Sequence, residues 1–431
     1  MKIHLIGIGG IGVSALAQYY LSKGHKISGS DLAASEITNF LQNKGIKILT
    51  GNKAENVGND IDLVVHSPAV KADNPEYKGA KELKIKTQSY PEALGELTKE
   101  YYTIAVSGAH GKSTTTAMVA LILIKAGIDP TVIVGTKLKE FGGSNFRSGK
   151  SKFLVIEACE YDSSFLYYLP KIAVITNIDV EHMDYFKTFS NVKKAFKDFI
   201  AKLPKGGFLV FNKDDKYPPI IGKKPKFTAI GYTTRQKEAK KIKSILKVPG
   251  IHNVQNALAA LEVSKILSIP EKIAIKSLSE FTGTWRRFEV KQGKAGTKKI
   301  TVVSDYGHHP NEISATLKAA REKYPNKRIL CVFQPHQHQR TYYLFDEFVK
   351  TFRSAPIDQI IITDIYDVAG REVKEINKEI SSKKLVKEID RDVVIYSSLV
   401  ELEGHIIKNI KAGDVLIIMG AGDIYKLADR F

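Results

Sequence analysis

The chain has 431 residues, of which 43% are hydrophobic and 26% are charged, a composition typical of a folded globular protein rather than a disordered one. The net charge of +19 is compatible with nucleic-acid binding. However, the lysines are scattered and no arginine-aromatic cluster accompanies them, so clefts for anionic nucleotides explain the charge equally well. The first residues have a strand pattern rather than that of a signal peptide or anchor, and two distant cysteines indicate thiols rather than a disulfide. We therefore expect a cytoplasmic protein of about three domains, with neither nucleic acid nor a membrane as partner.

Short strands alternate with helical patterns in the first third of the chain and predict an open α/β sheet. The strands are expected at 2–8, 26–30, 47–50, 63–66 and 84–88. The first strand ends in Gly7-Ile-Gly-Gly-Ile-Gly12, and Asp31 follows the second. This spacing is typical of a loop in which glycines let the backbone approach a pyrophosphate and the acid binds a ribose hydroxyl.

The loop at residues 7–12 is not specific for one ligand, because any nucleotide diphosphate would suit it. Binding of such a ligand involves Gly9, Gly10, Gly12 and Asp31 in this interpretation, whereas a turn needed only for packing is the alternative. His66 and Ser67 end the fourth strand, where open sheets bind ligands, although Pro68 also marks an ordinary turn there.

A second loop carries a stronger signal. Residues 103–106 form a short apolar strand, residues 107–111 are small or turn-forming, and a helix is expected from Lys112. Free N–H groups at such a helix start favour phosphate oxygens, Lys112 supplies a charge for the outer phosphates, and Ser113 supplies a hydroxyl for Mg²⁺. Val106 stands where the first glycine of the usual phosphate loop would be, so the loop is a shorter variant.

Carboxylates and a histidine follow the next two predicted strands, at 152–158 and 172–177. Glu157 and Glu160 end the first, and His182 lies among Asp179, Glu181 and Asp184 after the second. Beside a phosphate loop, oxygen ligands and one imidazole predict a magnesium-nucleotide site.

The turn before a helix predicted at 256–268 contains three further polar residues. His252, Asn253 and Asn256 are either helix caps or contacts to a purine.

The last third contains four apolar strands, each followed by polar or Gly-rich residues. The strands are expected at 299–304, 328–333, 359–363 and 414–419, with polar ends at 305–310, 334–340, 364–371 and 420–423. This layout predicts a second ligand crevice. The histidines at 308, 309, 336 and 338 also suit zinc, but no cysteine accompanies them, and groups that bind a carboxylate lie beside each pair.

Taken in order, these motifs resemble the Mur ligase family over nearly the whole chain. The matching segments are 7–12, 108–113, 157–165, 176–184, 252–256, 286–288, 305–310 and 333–336. The resemblance implies an α/β protein of three domains: an N-terminal Rossmann-like sheet, a central P-loop-type ATPase domain and a C-terminal Rossmann-like domain. We place their boundaries at 1–99, 100–285 and 286–431.

The resemblance also implies an activity. The lactyl carboxylate of UDP-N-acetylmuramate attacks the γ-phosphate of ATP, and the amine of L-alanine then displaces phosphate from the acyl phosphate, in peptidoglycan precursor synthesis. Two Mg²⁺ ions are expected, and the protein is expected to be a monomer or homodimer. Another small amino acid (glycine or serine) or a peptide is the alternative substrate. An NAD-dependent dehydrogenase would rest on the first loop alone, and a nucleic-acid-binding protein on net charge alone.

The family resemblance implies roles for individual residues. Lys112, Glu157 and His182 are expected to be catalytic, with Ser113, Glu157 and His182 as metal ligands. The expected ATP contacts are Gly108, His110, Gly111, Lys112, Ser113, Thr114, His252, Asn253, Asn256, Arg287 and Asp305. The expected UDP-sugar contacts are Gly9, Gly10, Gly12, Asp31, His66 and Ser67, and the expected amino-acid contacts are Tyr306, His308, His336 and Arg340.

Some positions depart from the family pattern. Ala109 and Ser113 replace threonines, and Cys159 and Tyr161 replace an acid and a serine. Tyr90 and Gln337 each stand where an arginine is usual. Gln337 weakens the predicted anion pocket, so the choice among small amino acids stays open.

Overall fold

Mostly parallel β-sheets covered by helices make up the fold, as the alternating pattern predicts. A computed structural model of the chain describes residues 1–367 and 374–431. Its strands form three sheets, and the predicted three-domain α/β class is confirmed. The predicted polar segment 364–371 lies partly outside the described residues.

The first sheet has five parallel strands in the order β3-β2-β1-β4-β5. The strands are β1 (Lys2–Ile6), β2 (Lys26–Asp31), β3 (Lys47–Thr50), β4 (Leu63–His66) and β5 (Lys86–Ser89). The helices are α1 (Ile11–Ser22), α2 (Glu36–Asn43), α3 (Pro75–Glu82) and α4 (Tyr90–Glu100). Strands β2 and β3 follow on one side of β1 and strands β4 and β5 on the other, so the strand order reverses between β1 and β4, which is where open sheets form a ligand crevice.

The second sheet has seven strands in the order β12-β11-β10-β6-β9-β7-β8. The strands are β6 (Tyr102–Ser107), β7 (Thr131–Leu138), β8 (Ser144–Arg147), β9 (Phe153–Glu157), β10 (Ile172–Ile175), β11 (Phe208–Asn212) and β12 (Thr228–Tyr232). The helices are α5 (Lys112–Lys125), α6 (Met183–Phe186), α7 (Phe189–Ala201), α8 (Lys237–Ile245), α9 (Ile251–Ile266) and α10 (Glu271–Glu280). Strand β8 pairs antiparallel with β7, whereas the other neighbouring strands of this sheet pair in parallel.

The third sheet has six strands in the order β13-β14-β18-β15-β16-β17, with β13 antiparallel. The strands are β13 (Glu289–Ala295), β14 (Lys298–Asp305), β15 (Ile329–Phe333), β16 (Gln359–Ile362), β17 (Val394–Tyr396) and β18 (Val415–Met419). The helices are α11 (Pro310–Lys323), α12 (His338–Tyr343), α13 (Phe345–Arg353), α14 (Lys374–Glu379), α15 (Ser382–Ile389), α16 (Leu402–Asn409) and α17 (Tyr425–Ala428).

The chain divides into two compact units. The first comprises residues 1–242 and 255–279 and holds the first and second sheets, each of which contributes residues to one continuous apolar core that includes Leu5 and Phe199. The second comprises residues 243–254 and 280–431, and its sheet is covered by apolar clusters that include Phe348 and Ile406. The predicted domain boundaries remain predictions, and residues 243–254, which we placed in the central domain, pack with the second unit.

One local difference from the sequence expectations has a physical cause. Helix α9 begins at Ile251 rather than at Asn256, because Gly250 adopts a φ of 95° and lets the chain turn into the helix five residues earlier. Consequently His252 and Asn253 lie in the first helical turn.

The two cysteines differ in burial. Cys331 is buried in β15, whereas Cys159 is only partly buried just beyond β9. Among the described residues, no helix combines the length and apolar character needed to cross a membrane.

Candidate functional site

The loop between β6 and α5 has the backbone conformation of a phosphate loop. Gly108 has a φ of 134° and Gly111 a φ of 80°, values that side chains rarely tolerate. A Cβ at Gly108 would overlap Thr176 Oγ1, and a Cβ at Gly111 would overlap Asn256 Oδ1. The loop is therefore shaped by its neighbours as well as by its own sequence.

The two residues after β10 form hydrogen bonds with this loop, a contact that the sequence did not predict. Asn177 accepts a hydrogen bond from the His110 backbone N–H (2.8 Å) and donates one to the His110 carbonyl (3.0 Å). Thr176 Oγ1 donates to the same carbonyl at 2.6 Å. The sequence signals were the position of both residues at the end of a strand and their membership of the family segment 176–184, neither of which showed the contact with the loop.

Lys112 lies inside the loop it follows. Its ammonium group donates to the carbonyls of Gly108 (2.6 Å) and Ala109 (2.9 Å), and it lies 3.1 Å from both carboxylate oxygens of Glu160. Burial by itself lowers the pKa of Lys112, but the negative charges, Glu160 foremost, outweigh burial and hold this pKa above its ordinary value. Lys112 is therefore a fixed positive charge at neutral pH.

Of the predicted metal ligands, Ser113 is buried in the first turn of α5 and is followed by buried Thr114. Glu157 ends β9, next to β6, and accepts a hydrogen bond from the Gly135 N–H at 2.8 Å. His182 Nε2 lies 3.7 Å from Glu160 and its Nδ1 lies 3.8 Å from Glu181. A hydroxyl and carboxylates are hard oxygen donors, so this part of the site fits Mg²⁺.

A second acidic pair supports the loop from the side of β10 and β11. Asp179 lies 3.0 Å from Nε2 of His110, and Asp215 accepts a hydrogen bond from the Ile178 N–H at 2.8 Å. Burial, followed by the charge of Asp179, raises the pKa of Asp215 to about 6 even though backbone N–H groups oppose the shift. Asp215 thus fixes the segment that carries Asp179.

The first domain brings the predicted UDP-sugar residues together at one edge of its sheet. Gly9 donates its N–H to Asp31 at 2.8 Å, so this carboxylate already holds the glycine loop. Gly10 caps α1, and a Cβ at Gly12 would lie 2.8 Å from the ring of Tyr90.

The end of β4, which the sequence placed at His66, lies beside that loop. His66 pairs in register with Ile6 of β1, and the Ser67 N–H donates to the Ile6 carbonyl at 2.9 Å. The His66 ring packs edge-on against Tyr77.

A buried polar network joins the first and second sheets. Asn145, in β8, donates to the Ile11 carbonyl and to Ser14 Oγ (3.0 Å), and accepts from Gln18 at 2.9 Å. Ser144 donates to Gln18 at 2.9 Å. The network anchors the first turns of α1, directly after the glycine loop, to the central domain, and no sequence motif predicted it.

In the second unit, the four predicted amino-acid contacts lie close to one another. The ring of His308 is 5.4 Å from that of Tyr306 and 6.0 Å from that of His336, centroid to centroid. Arg340 Nη1 lies 3.2 Å from His336 Nδ1 and donates to the His336 carbonyl at 3.1 Å. Gln337 caps α12 with a φ of 72°.

Arg286 is the buried centre of a second cluster in this unit. Arg286 is 5% exposed, lies over the rings of Tyr425 (4.3 Å) and Tyr306 (4.7 Å), and donates to the carbonyls of Gly420 and Gly422. The aromatic faces and carbonyls replace a carboxylate partner. Sequence reasoning treated this residue only as part of a motif.

Two predicted ATP contacts lie near this cluster in the second unit. Asp305 accepts hydrogen bonds from the N–H groups of Phe288 and Gly307, both at 2.8 Å, and burial raises its pKa. Arg287 lies 4.8 Å from the Tyr306 ring.

Three further predicted ATP contacts belong to α9. Burial lowers the pKa of His252 to about 4, which makes its ring neutral at pH 7, and Asn253 donates to the Pro249 carbonyl at 2.7 Å. Both of these residues pack with the second unit. Asn256 belongs to the first unit, where it contacts Gly111.

These features define the class: an α/β protein whose central domain carries a short phosphate loop, with a Rossmann-like domain on each side in sequence. Family models match three consecutive segments, described as "Mur ligase family, catalytic domain" (residues 2–102), "Mur ligase middle domain" (106–264) and "Mur ligase, glutamate ligase domain" (286–422).

Named relatives align with this chain over its full length. The chain is 43% identical to the UDP-N-acetylmuramate–L-alanine ligase of Acetivibrio thermocellus, with 100% of this chain and 95% of that protein covered. It is 42% identical to the enzyme of the same name from Clostridium botulinum (strain Loch Maree), covering 100% and 97%. The crystal structure of the UDP-N-acetylmuramate-alanine ligase of Thermotoga maritima superposes with a TM-score of 0.83 at 29% identity, covering 100% and 98%. The chain belongs to the Mur ligase family.

Proposed function

We propose that this protein is an ATP-dependent, ADP-forming ligase that joins L-alanine to the lactyl carboxylate of UDP-N-acetylmuramate in peptidoglycan precursor synthesis. The observation that carries the proposal is the 43% identity, over the whole chain, to a relative that bears the name of this activity. The site geometry is consistent with the chemistry, because the phosphate loop, the acidic end of β9 and the cluster that contains Arg340 supply groups that a phosphoryl transfer followed by amide formation needs.

In the proposed reaction, a carboxylate oxygen of the sugar substrate attacks the γ-phosphorus of ATP, and the bond to the bridging oxygen breaks to release ADP. The uncharged amine of L-alanine then attacks the acyl carbon, inorganic phosphate leaves and the nitrogen loses a proton. Phosphoryl transfer needs mainly positioning and charge neutralisation. Lys112 supplies a fixed positive charge for it, and the N–H groups of the loop are suited to hold phosphate oxygens.

The remaining nucleotide contacts are proposed from the family resemblance. We assign ATP to Gly108, His110, Gly111, Lys112, Ser113 and Thr114, with His252, Asn253, Asn256, Arg287 and Asp305 as further contacts. The neutral ring of His252 suits an uncharged base better than a phosphate.

Magnesium is proposed at two positions. Ser113 and Glu157 would hold one ion, and His182 would help to hold the second. When bound, Mg²⁺ neutralises phosphate charge. The oxygen donors on Ser113 and Glu157 support the first position.

The UDP-sugar is proposed to bind the first domain through Gly9, Gly10, Gly12, Asp31, His66 and Ser67. Gly9, Asp31 and His66 lie at or just beyond the ends of β1, β2 and β4, where the strand order reverses and open sheets bind nucleotides. Asp31 already accepts the Gly9 N–H, so its first role is to shape the loop.

L-Alanine is proposed to bind among Tyr306, His308, His336 and Arg340. The guanidinium of Arg340 is the natural partner for the amino-acid carboxylate. Gln337 is the uncharged neighbour that keeps glycine or serine as the alternative substrate. We further propose that the protein acts in the cytoplasm as a monomer or homodimer.

The decisive experiment measures phosphate release from ATP by the pure protein with UDP-N-acetylmuramate and each standard amino acid in turn. L-Alanine is expected to stimulate release most strongly, and stimulation by glycine or serine above that of alanine would favour the alternative substrate. If no amino acid raises release above the sugar-only rate, the ligase assignment is wrong.

The amino-acid pocket has its own test. Arg340→Ala should raise KM for L-alanine about tenfold or more, because a charge-assisted hydrogen bond to the carboxylate is lost. KM for ATP serves as the internal control and should not change. Equal increases in both constants would contradict the assignment of Arg340.

A further inference from the structure

The ammonium group of Lys112 has no donor to spare in this structure. It carries three N–H donors, and its three acceptors are the Gly108 carbonyl at 2.6 Å, the Ala109 carbonyl at 2.9 Å and Glu160 at 3.1 Å. A phosphate oxygen that binds Lys112 must therefore replace one of these acceptors. The two loop carbonyls belong to the backbone and cannot move away without reshaping the loop, whereas the carboxylate ends a rotatable side chain, so the carboxylate is the acceptor that can be exchanged.

Glu160 is buried beside Lys112, where it can accept a hydrogen bond from the ammonium group until a phosphate oxygen replaces it. It is 1% exposed and lies three residues beyond the end of β9. Lys112 lies 3.1 Å from each of its oxygens, and His182 lies 3.7 Å away. Its second oxygen is buried and accepts no hydrogen bond from the described part of the chain. A buried carboxylate needs a cation nearby, so Glu160 and Lys112 stabilise each other while the loop is empty.

We infer that Glu160 is a positioning residue that holds Lys112 in its resting place and competes with the nucleotide phosphate for it. The inference rests on the proposed use of ATP. A phosphate oxygen takes over the ammonium donor that Glu160 accepts in the empty loop. Glu160 therefore keeps the cation ordered between turnovers and reduces the affinity for nucleotide.

The inference predicts the sign of a binding change. Glu160→Gln retains the size of the side chain but removes the charge that competes with phosphate. We expect the variant to bind ADP about fivefold more tightly than wild type, which corresponds to roughly 1 kcal/mol. A role limited to supporting the fold predicts weaker or unchanged binding instead.

Binding of ADP is measured by isothermal titration calorimetry on the full-length protein in EDTA, so that metal ions do not contribute. Asp198→Asn is the matched control, because Asp198 is exposed on α7 and its substitution removes the same charge from the same unit. If Asp198→Asn tightens binding as much as Glu160→Gln, the effect is one of net charge and the inference is wrong.

A double-mutant cycle tests whether Lys112 carries the effect. In a Lys112→Ala background, Glu160→Gln should change the ADP dissociation constant by less than about twofold, because the competing partner is absent. Tightening that persists in this background would overturn the inference.

Failure of this inference and failure of the proposed function give different results. A wild-type protein that binds no ADP and releases no phosphate would reject the use of ATP itself. A wild-type protein that is active, with a Glu160→Gln variant that binds ADP no more tightly, would reject only the role of Glu160. Thermal unfolding of each variant shows whether the fold is retained.

Discussion

At Gly108 and Gly111 of the phosphate loop, a particular neighbouring residue leaves no space for a side chain. Gly108 faces the end of β10, where Thr176 and Asn177 leave no space for a Cβ, and Gly111 faces Asn256. The space at the loop is thus set by residues far away in the sequence. Lys112 is then held by the same loop carbonyls whose conformation these glycines permit.

Substitution of Gly108 tests this packing. Gly108→Ala should raise KM for ATP about tenfold or more and lower the melting temperature, because the new Cβ overlaps Thr176 and the φ of 134° is strained. Gly127→Ala is the control, since Gly127 has a φ of 77° but no described neighbour within 4 Å of the position that a Cβ would take. Steady-state kinetics and thermal unfolding of both variants make the comparison. Equal effects would mean that backbone strain alone explains the loss.

Removal of the Lys112 charge should lower the turnover number, because this charge is proposed to stabilise the transition state of phosphoryl transfer. Lys112→Ala is expected to lower kcat at least about a hundredfold, on the order of 3 kcal/mol of transition-state stabilisation. Lys125→Ala, at the far end of the same helix, should leave kcat close to the wild-type value.

Lys112→Ala also leaves Glu160 buried without its partner, so loss of fold must be separated from loss of chemistry. The Lys112→Ala, Glu160→Gln double variant removes both charges and should unfold at a higher temperature than the single variant. If the double variant recovers turnover, Lys112 is not the charge that stabilises the transition state.

At the scale of elements, a buried ionic network fixes α3 to the first sheet. Glu76, fully buried in α3, lies 2.9 Å from His4 Nε2 and accepts hydrogen bonds from Ser30 (2.6 Å) and Asn56 (2.7 Å). Burial alone would raise the pKa of Glu76, but these hydrogen bonds outweigh it and lower the pKa below its usual 4.5.

The network makes stability depend on pH in a defined direction. Because the folded-state pKa of Glu76 lies below the unfolded value near 4.5, the ionised carboxylate stabilises the fold above that pH. This stabilisation is lost as the pH falls through the folded pKa. Glu76→Gln should therefore cost roughly 3 kcal/mol at pH 7 and progressively less towards pH 3.

Thermal unfolding of wild type and Glu76→Gln between pH 7 and pH 3 makes this measurement. Glu82→Gln, exposed on the same helix, is the control and should leave the pH profile unchanged. A constant difference between wild type and Glu76→Gln across this range would contradict the assigned pKa shift.

At the scale of the whole molecule, the glycine loop of the first domain depends on the second sheet. Asn145 of β8 bonds to the Ile11 carbonyl and to Ser14, and Gln18 completes the contact from α1. The proposed UDP-sugar site is therefore positioned by a strand of the proposed ATPase domain.

Asn145→Ala tests this dependence. It should lower the free energy of unfolding by about 2 kcal/mol, because buried partners lose their hydrogen bonds. It should also raise KM for UDP-N-acetylmuramate more than KM for ATP, since the start of α1 loses its anchor. Asn39→Ala, exposed on α2, is the control for both measurements. A larger effect on ATP would show that the network serves the central domain instead.

Much of the fold could be predicted locally. The strands at residues 26–31, 47–50 and 63–66 were placed within one residue, because short segments with apolar residues between turn residues are a local signal. Strands β7, β8, β11, β12, β13 and β17 were not predicted, since no predicted ligand-binding motif follows any of them. The start of α9 was misplaced because the effect of Gly250 on the chain direction depends on its φ, which the sequence does not state.

The sequence by itself determined the class of the fold, the family and the chemical character of the loops, because glycines, Lys112 and the acids act through residue type and short spacing. Only the tertiary structure decided which strand ends meet. The order β10-β6-β9 brings Asn177 and Glu160 to the phosphate loop, and β8 brings Asn145 to the glycine loop. Such pairings join residues far apart in the chain, and their selection depends on how whole strands and helices bury their apolar faces, which no local spacing encodes.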